Sequence, residues 1–170
     1  MPTFTCSVCG EVHEGLPTDW AYTLPDEVWA IPEATRADAA KFDTDLCQYG
    51  ERYFIRCALP VPLRAAGSEF NFGAWADVEW TTFKRYVDLF DEDGSAEPLH
   101  PGRLANALPP YPQSAGLTVW LQFHDASRRP SLHLDKADRS LLAGEQRSGV
   151  DDVRHHEILD ILLGRSPPTL

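Results

Sequence analysis

The chain has 170 residues, 15 basic and 26 acidic, for a formal net charge of −11; 43% are apolar, with five Trp and eight Phe. That apolar and aromatic content excludes a disordered chain and suffices for one sizeable core. The negative field excludes general electrostatic binding to nucleic acid or to an anionic membrane surface, and suits a basic protein partner.

In chain order, residues 1–15 are polar and carry two cysteines, and residues 16–32 read as an ordered extended loop pinned by Pro17, Trp20, Pro25, Trp29 and Pro32. A short Ala-rich helix is expected over residues 33–43, since Pro32 favours a first turn. Asp45-Leu46-Cys47-Gln48 reads as a loop. Residues 52–60 alternate as a strand that Pro60 and Pro62 should end. A second strand fits residues 70–80, where Phe70, Phe72, Ala74, Ala76, Val78 and Trp80 share one parity, and the turn-like residues 65–68 make the pair a hairpin. Thr81 or Thr82 can cap the next helix, whose stripe is Phe83, Tyr86, Val87 and Phe90, with Gly94 ending the segment.

A Pro-rich loop follows over residues 98–112, then strands at 117–123 and 131–135 joined by a turn at 125–129. The last helix spans residues 151–163, stopped by Gly164, with Val150, Val153, Ile158, Ile161 and Leu162 as its core face. These elements predict an α+β fold: a mostly antiparallel sheet built from two hairpins, packed by two helices, with an N-terminal zinc-knuckle-like CxxC segment. A single domain is expected over residues 1–170, its knuckle formed by 1–15 and 45–48 and its core by 50–165. No stretch approaches 18 apolar residues, and no secretory or lipidation motif is visible, so a cytoplasmic protein with free thiols is expected.

One motif carries metal chemistry. Cys6-x-x-Cys9 followed by His13 can hold a tetrahedral ion, because the tight turn points both sulfurs inward and Gly10 permits a left-handed backbone after it. Cys47 is the candidate for the remaining ligand. Four protein ligands imply a structural zinc, since a catalytic zinc keeps a position open for water. The competing readings are a redox dithiol at Cys6 and Cys9 or two ordinary thiols. Cys57, mid-strand, reads as a buried small hydrophobe.

Asp88, Asp91, Glu92 and Asp93 fail the EF-hand register and read as a solvated helix end. The adjacent His155 and His156 project in different directions and do not readily share a metal. No H-E-x-x-H, G-x-S-x-G, phosphate loop or dinucleotide fingerprint is present, so no catalytic residue is assigned.

Cys6-x-x-Cys9-Gly10-x-x-His13, Asp45-Leu46-Cys47, Tyr53-Phe54-Ile55-Arg56, Phe72-Gly73-Ala74-Trp75, Gly102-Arg103-Leu104-Ala105-Asn106, Tyr111-Pro112, Arg129-Pro130 and Glu145-Gln146-x-x-Gly149 follow one another in consistent order. Together they resemble the bacterial family catalogued as domain of unknown function 2199. The resemblance supports Cys47 as the partner of Cys6 and Cys9 and implies no activity. One run departs from it: Ser140-Leu141-Leu142-Ala143 stands where the family typically has His-Pro-Leu-Ala.

The leading expectation is a non-enzymatic, zinc-stapled protein-binding module, of which an immunity- or antitoxin-like inhibitor is one version. The alternatives are a thiol redox switch and a small enzyme. The enzyme's site would lie around Trp75, Asp77, Asn106, Tyr111, Arg129 and Glu145, which with Gln146 otherwise form a binding surface.

Overall fold

The computed structural model describes residues 16–164, together with the backbone of two short antiparallel strands, β1 (Phe4–Thr5) and β2 (Val12–His13). Further along come β3 (Asp19–Ala21), α1 (Asp26–Trp29), α2 (Glu33–Ala39), β4 (Ala40–Phe42), β5 (Leu46–Tyr49), β6 (Arg52–Leu63), β7 (Ser68–Val78) and α3 (Trp80–Asp88). Then follow β8 (His100–Leu104), β9 (Thr118–Gln122), β10 (Ser131–Leu134), α4 (Leu141–Ser148) and α5 (Asp152–Leu162). Strands β3 to β10 form one sheet in the order β3-β7-β8-β9-β10-β6-β5-β4, and pairing of β7 with β6 closes β6 to β10 into a small barrel.

The frame is the long hairpin β6–β7, in register from Tyr53↔Val78 to Leu63↔Ser68. Successive strand residues point to opposite faces. One parity, Ile55, Cys57, Leu59, Val61 and Leu63 with Phe70, Phe72, Ala74, Ala76 and Val78, is buried in the barrel interior. There it meets Leu104, Val119, Leu121 and Leu132 from the closing strands and Ile158 and Leu159 from α5. The outer edges of the hairpin are each shared. β5 and β10 divide the free edge of β6, and β8 and β3 divide that of β7.

The other parity faces outward. Trp75, on that face, is nonetheless fully buried, because residues 22–31 cross over it and enclose it with Leu24, Val28, Ala40, Cys47 and Phe54 in a second apolar cluster. Its indole N–H donates to the Tyr22 carbonyl at 3.0 Å.

Both expected hairpins are present and the pairing is mostly antiparallel, with parallel contacts at β3–β7 and β10–β6. Several expectations are corrected. The sheet is a barrel with added strands, and the described residues form five helices rather than two. Pro60 and Pro62 do not end β6. Their neighbours Arg56, Ala58 and Arg64 donate backbone N–H groups away from β7, to Asp45, Pro130 and Val150. Residues of that parity present their nitrogens to the outer edge, so two prolines remove no bond from the β6–β7 ladder.

Residues 46–49 are a strand, not a loop, and the loop 98–112 contains β8. The helix expected over 33–43 stops at Ala39. α3 starts at Trp80 with no side-chain cap from Thr81 or Thr82, and Val87 and Phe90 are exposed. In α5 the buried stripe is His155, Ile158 and Leu159 with Leu162 packed beside them, while Val153 and Ile161 are exposed. No helix among the described residues is long and apolar enough to cross a membrane.

Candidate functional site

A cleft of about 660 Å³ opens between the outer face of β6–β7 and the loop that joins β9 to β10. Its origin is local sequence. Ala58 and Gly73 face each other across the ladder, so the outward row loses its bulk there, between the covered Trp75 and the prolines. Gly73 is required by close approach: a Cβ there would lie 2.9 Å from the Ala21 Cβ of the neighbouring β3. One wall is apolar, from Tyr86, Leu89, Phe90 and Phe123, with Tyr86 edge-on to Phe123 at 5.3 Å between ring centroids. The other wall is the polar loop His124–Arg129.

Arg56, Arg129 and Asp45 lie together in the cleft, which Arg128 also lines. The Arg129 Nε donates to the Asp45 carboxylate at 2.8 Å. Arg56 is half-buried, and no carboxylate among the described residues pairs with it. Its Nε is shielded from solvent without a hydrogen-bond partner, and its Nη1 makes only a long 3.4 Å contact to the Thr44 carbonyl. Burial, then the neighbouring Arg129 guanidinium, lower the pKa of Arg56, with Asp45 acting in the opposite direction.

His124 Nε2 and Ser131 Oγ stand 2.8 Å apart in the same cleft. Burial, then Arg128, hold His124 below the ordinary histidine range, so it is neutral at pH 7. A serine beside a neutral histidine is the first half of a nucleophile–base pair, but a working pair needs a third group to orient the base. Among the described residues no carboxylate is bonded to the other ring nitrogen. Ser131 is moreover a buried strand residue.

Of the expected surface residues, the cleft contains only Arg129; outside it Trp75 meets Asn106, and Tyr111 meets Glu145 through Arg154. Asn106 is fully buried, its Oδ1 accepting from Trp75 N at 2.8 Å and its Nδ2 donating to the Leu24 carbonyl and Asp26 Oδ1. It ties the crossing segment to the sheet beside Trp75. Asp77 pairs with Arg52, which also meets Glu27. Glu145 holds the Arg154 Nε with both oxygens, at 3.0 and 2.9 Å, and that guanidinium lies over the buried Tyr111 ring. Gln146 accepts from Leu134 N at 2.8 Å and donates to the Leu132 and Pro60 carbonyls, pinning α4 across the sheet. These are bonds that hold elements together.

Of the expected zinc ligands, Cys6, Cys9 and the His13 side chain lie outside the described residues. Cys47 is buried in β5 against Leu24, Val28, Phe54 and Trp75, where burial, then Asp43, push its thiol up to about 11. Among the described residues no group of three His, Cys, Asp or Glu is placed to hold a metal.

The residues that sequence reasoning missed are Arg56, His124, Ser131 and Asp45. Arg56 does carry a signal, a charge inside an otherwise apolar strand, flanked by Ile55 and Cys57.

Fold and site together define an α+β barrel protein with a large polar cleft in its flank. The chain belongs to the family described as an uncharacterized protein conserved in bacteria (DUF2199), whose model matches residues 5–150 and so spans the whole cleft. No curated protein and no solved structure matches it.

Proposed function

We propose that this chain is a non-catalytic binding module that grips a segment of another protein in the cleft beside Arg56. The observation that carries the reading is the cleft itself: about 660 Å³, with an apolar wall facing a charged one and an arginine that forms no ion pair with a carboxylate among the described residues. A protein segment offers apolar and charged side chains together, as specific interfaces require. The polar side chains that would serve an enzyme, Asn106, Glu145 and Gln146, are instead committed to structural bonds. The net charge of −11 favours a partner that is basic overall, and neutralisation of a basic toxin is the concrete form of this reading.

In the same reading Cys6, Cys9 and His13, closed by a fourth ligand, hold a structural zinc that staples the N-terminal segment, and Cys47 is a packing residue. The test is partner capture from bacterial lysate with parent protein and with Ala58→Trp, which fills the cleft floor from outside the barrel. We expect the parent to retain a partner and a variant of equal melting temperature to lose it. Equal retention by both, or none by the parent, sinks the proposal.

The contact between Ser131 and His124 favours one second reading, a hydrolase. Labelling by a fluorophosphonate that His124→Ala abolishes would support it; the binding reading expects no label.

A further inference from the structure

Charge is not uniform along the cleft. Across the ladder Arg56 is level with Trp75, whereas Glu69 is level with Pro62 and Asp19, through Asn71, with Pro60. The two carboxylates therefore stand four and six strand residues from Arg56, about 13 and 20 Å at roughly 3.3 Å per residue. Among the described residues the carboxylate lining the cleft beside Arg56 is Asp45, and it is engaged by Arg129. Asp125, on the loop, accepts from the Ser127 amide and hydroxyl. The cleft thus has a cationic end and an anionic end.

Arg56 is the group that asks for a ligand. A guanidinium with a shielded, unpartnered Nε and only one long contact forgoes hydrogen bonds that a half-buried charge needs. An oxyanion supplies them in a planar, two-pronged arrangement that matches the arginine fork. Resting on the binding reading above, we propose that Arg56 is the subsite for a carboxylate side chain of the bound segment, with Asp19 and Glu69 receiving a basic side chain of the same segment. In extended conformation that basic side chain lies four to six residues from the acidic one.

The shared chemistry at Arg56 is an oxyanion, so the test separates a peptide carboxylate from free phosphate. The ¹⁵N–¹H resonances of the arginine Nε groups of the full chain are followed during titration with three probes. These are inorganic phosphate, acetate, and end-blocked peptides carrying Glu and Lys four or six residues apart, on one face of an extended chain, in either order, each with a Gln-for-Glu control. We expect the Glu peptide to shift the Arg56 resonance saturably, at least about tenfold more tightly than acetate, the gain expected of a second charged contact worth about 1.4 kcal/mol. The Gln control should abolish the shift, and in Arg56→Gln the Glu peptide should no longer shift the neighbouring Arg129 resonance, with the Glu145-bound Arg154 resonance unmoved.

Tighter binding of phosphate than of any peptide would overturn the carboxylate assignment, and no probe shifting Arg56 would overturn the subsite. Arg56→Lys, which keeps the charge and loses the fork, guards against a variant that fails to fold, and should weaken the peptide without abolishing it. A lysate partner lost by Ala58→Trp but kept by Arg56→Gln would defeat this inference while leaving the binding reading intact.

Discussion

Asn106 makes three hydrogen bonds with no surface exposed, and with the bonds of Tyr22 to Gly73 and Trp75 it joins the segment over Trp75 to β7. Asn106→Ala would leave the Trp75 N–H and the Leu24 carbonyl without that partner in a dry site. We expect a loss of about 2–3 kcal/mol in urea unfolding, the cost of one or two unsatisfied buried groups; a change within about 0.5 kcal/mol, the usual range for a surface substitution, would contradict that role. A second residue-scale effect is pH dependence. Burial, above all, holds His155 below the ordinary histidine value, its Nε2–H donating to the Pro17 carbonyl at 2.9 Å and partly offsetting the shift. His124 and His133 are lowered by burial too. A group with a depressed basic pKa binds its proton more readily unfolded, so stability falls as pH drops below about 6.5. The carboxylates with lowered values, Asp93, Glu97, Asp125 and Asp135, act only below their ordinary range near 4. Denaturation midpoints should therefore fall between pH 7 and pH 5, and less so in His155→Gln; a flat profile would count against it.

At the scale of elements, Gly149 shows how α4 meets the sheet. It follows the helix at φ +76°, and an added Cβ would lie 2.9 Å from Arg64 Cγ and 3.0 Å from the Pro62 carbonyl oxygen. Its successor Val150 exchanges backbone bonds with Pro62 and Arg64. Gly149→Ala should cost at least about 1–3 kcal/mol, the range for a strained left-handed residue, and an unchanged thermal midpoint would refute this. The same elements explain what was legible in advance. The β6–β7 hairpin was readable because its inward residues alternate cleanly, and α5 because Asp151 and Gly164 mark its ends. α4 was missed although Ser140 caps it, its hydroxyl accepting from Ala143 N, because Gly144 interrupts a short run. β8 was missed because Pro101 and Gly102 read as loop, and the α5 stripe because its first buried member, His155, is polar. The cleft was illegible. It assembles residues near 19, 45, 56, 73 and 124–131, whose proximity depends on barrel closure, whereas the chosen polar residues occupied structural bonds that no local pattern distinguishes from a site.

For the whole molecule, the proposed zinc and the proposed partner make separable predictions. Protein purified without chelator or added metal should carry about one zinc per chain, as a closed site does. Cys9→Ser should lose it, while Cys47→Ala should keep it and unfold earlier through the small cavity left beside Trp75. Zinc lost from both variants would return Cys47 to the ligand set. The central claim is where the partner sits, and amide hydrogen exchange of the chain with and without its captured partner reads that directly. The account predicts slowed exchange in residues 124–129 and near Asp45 and Arg56, with the exposed face of α5 around Val153 and Ile161 unchanged. Protection confined to α5, or to the Trp80 end of α3, would place the partner elsewhere and contradict it.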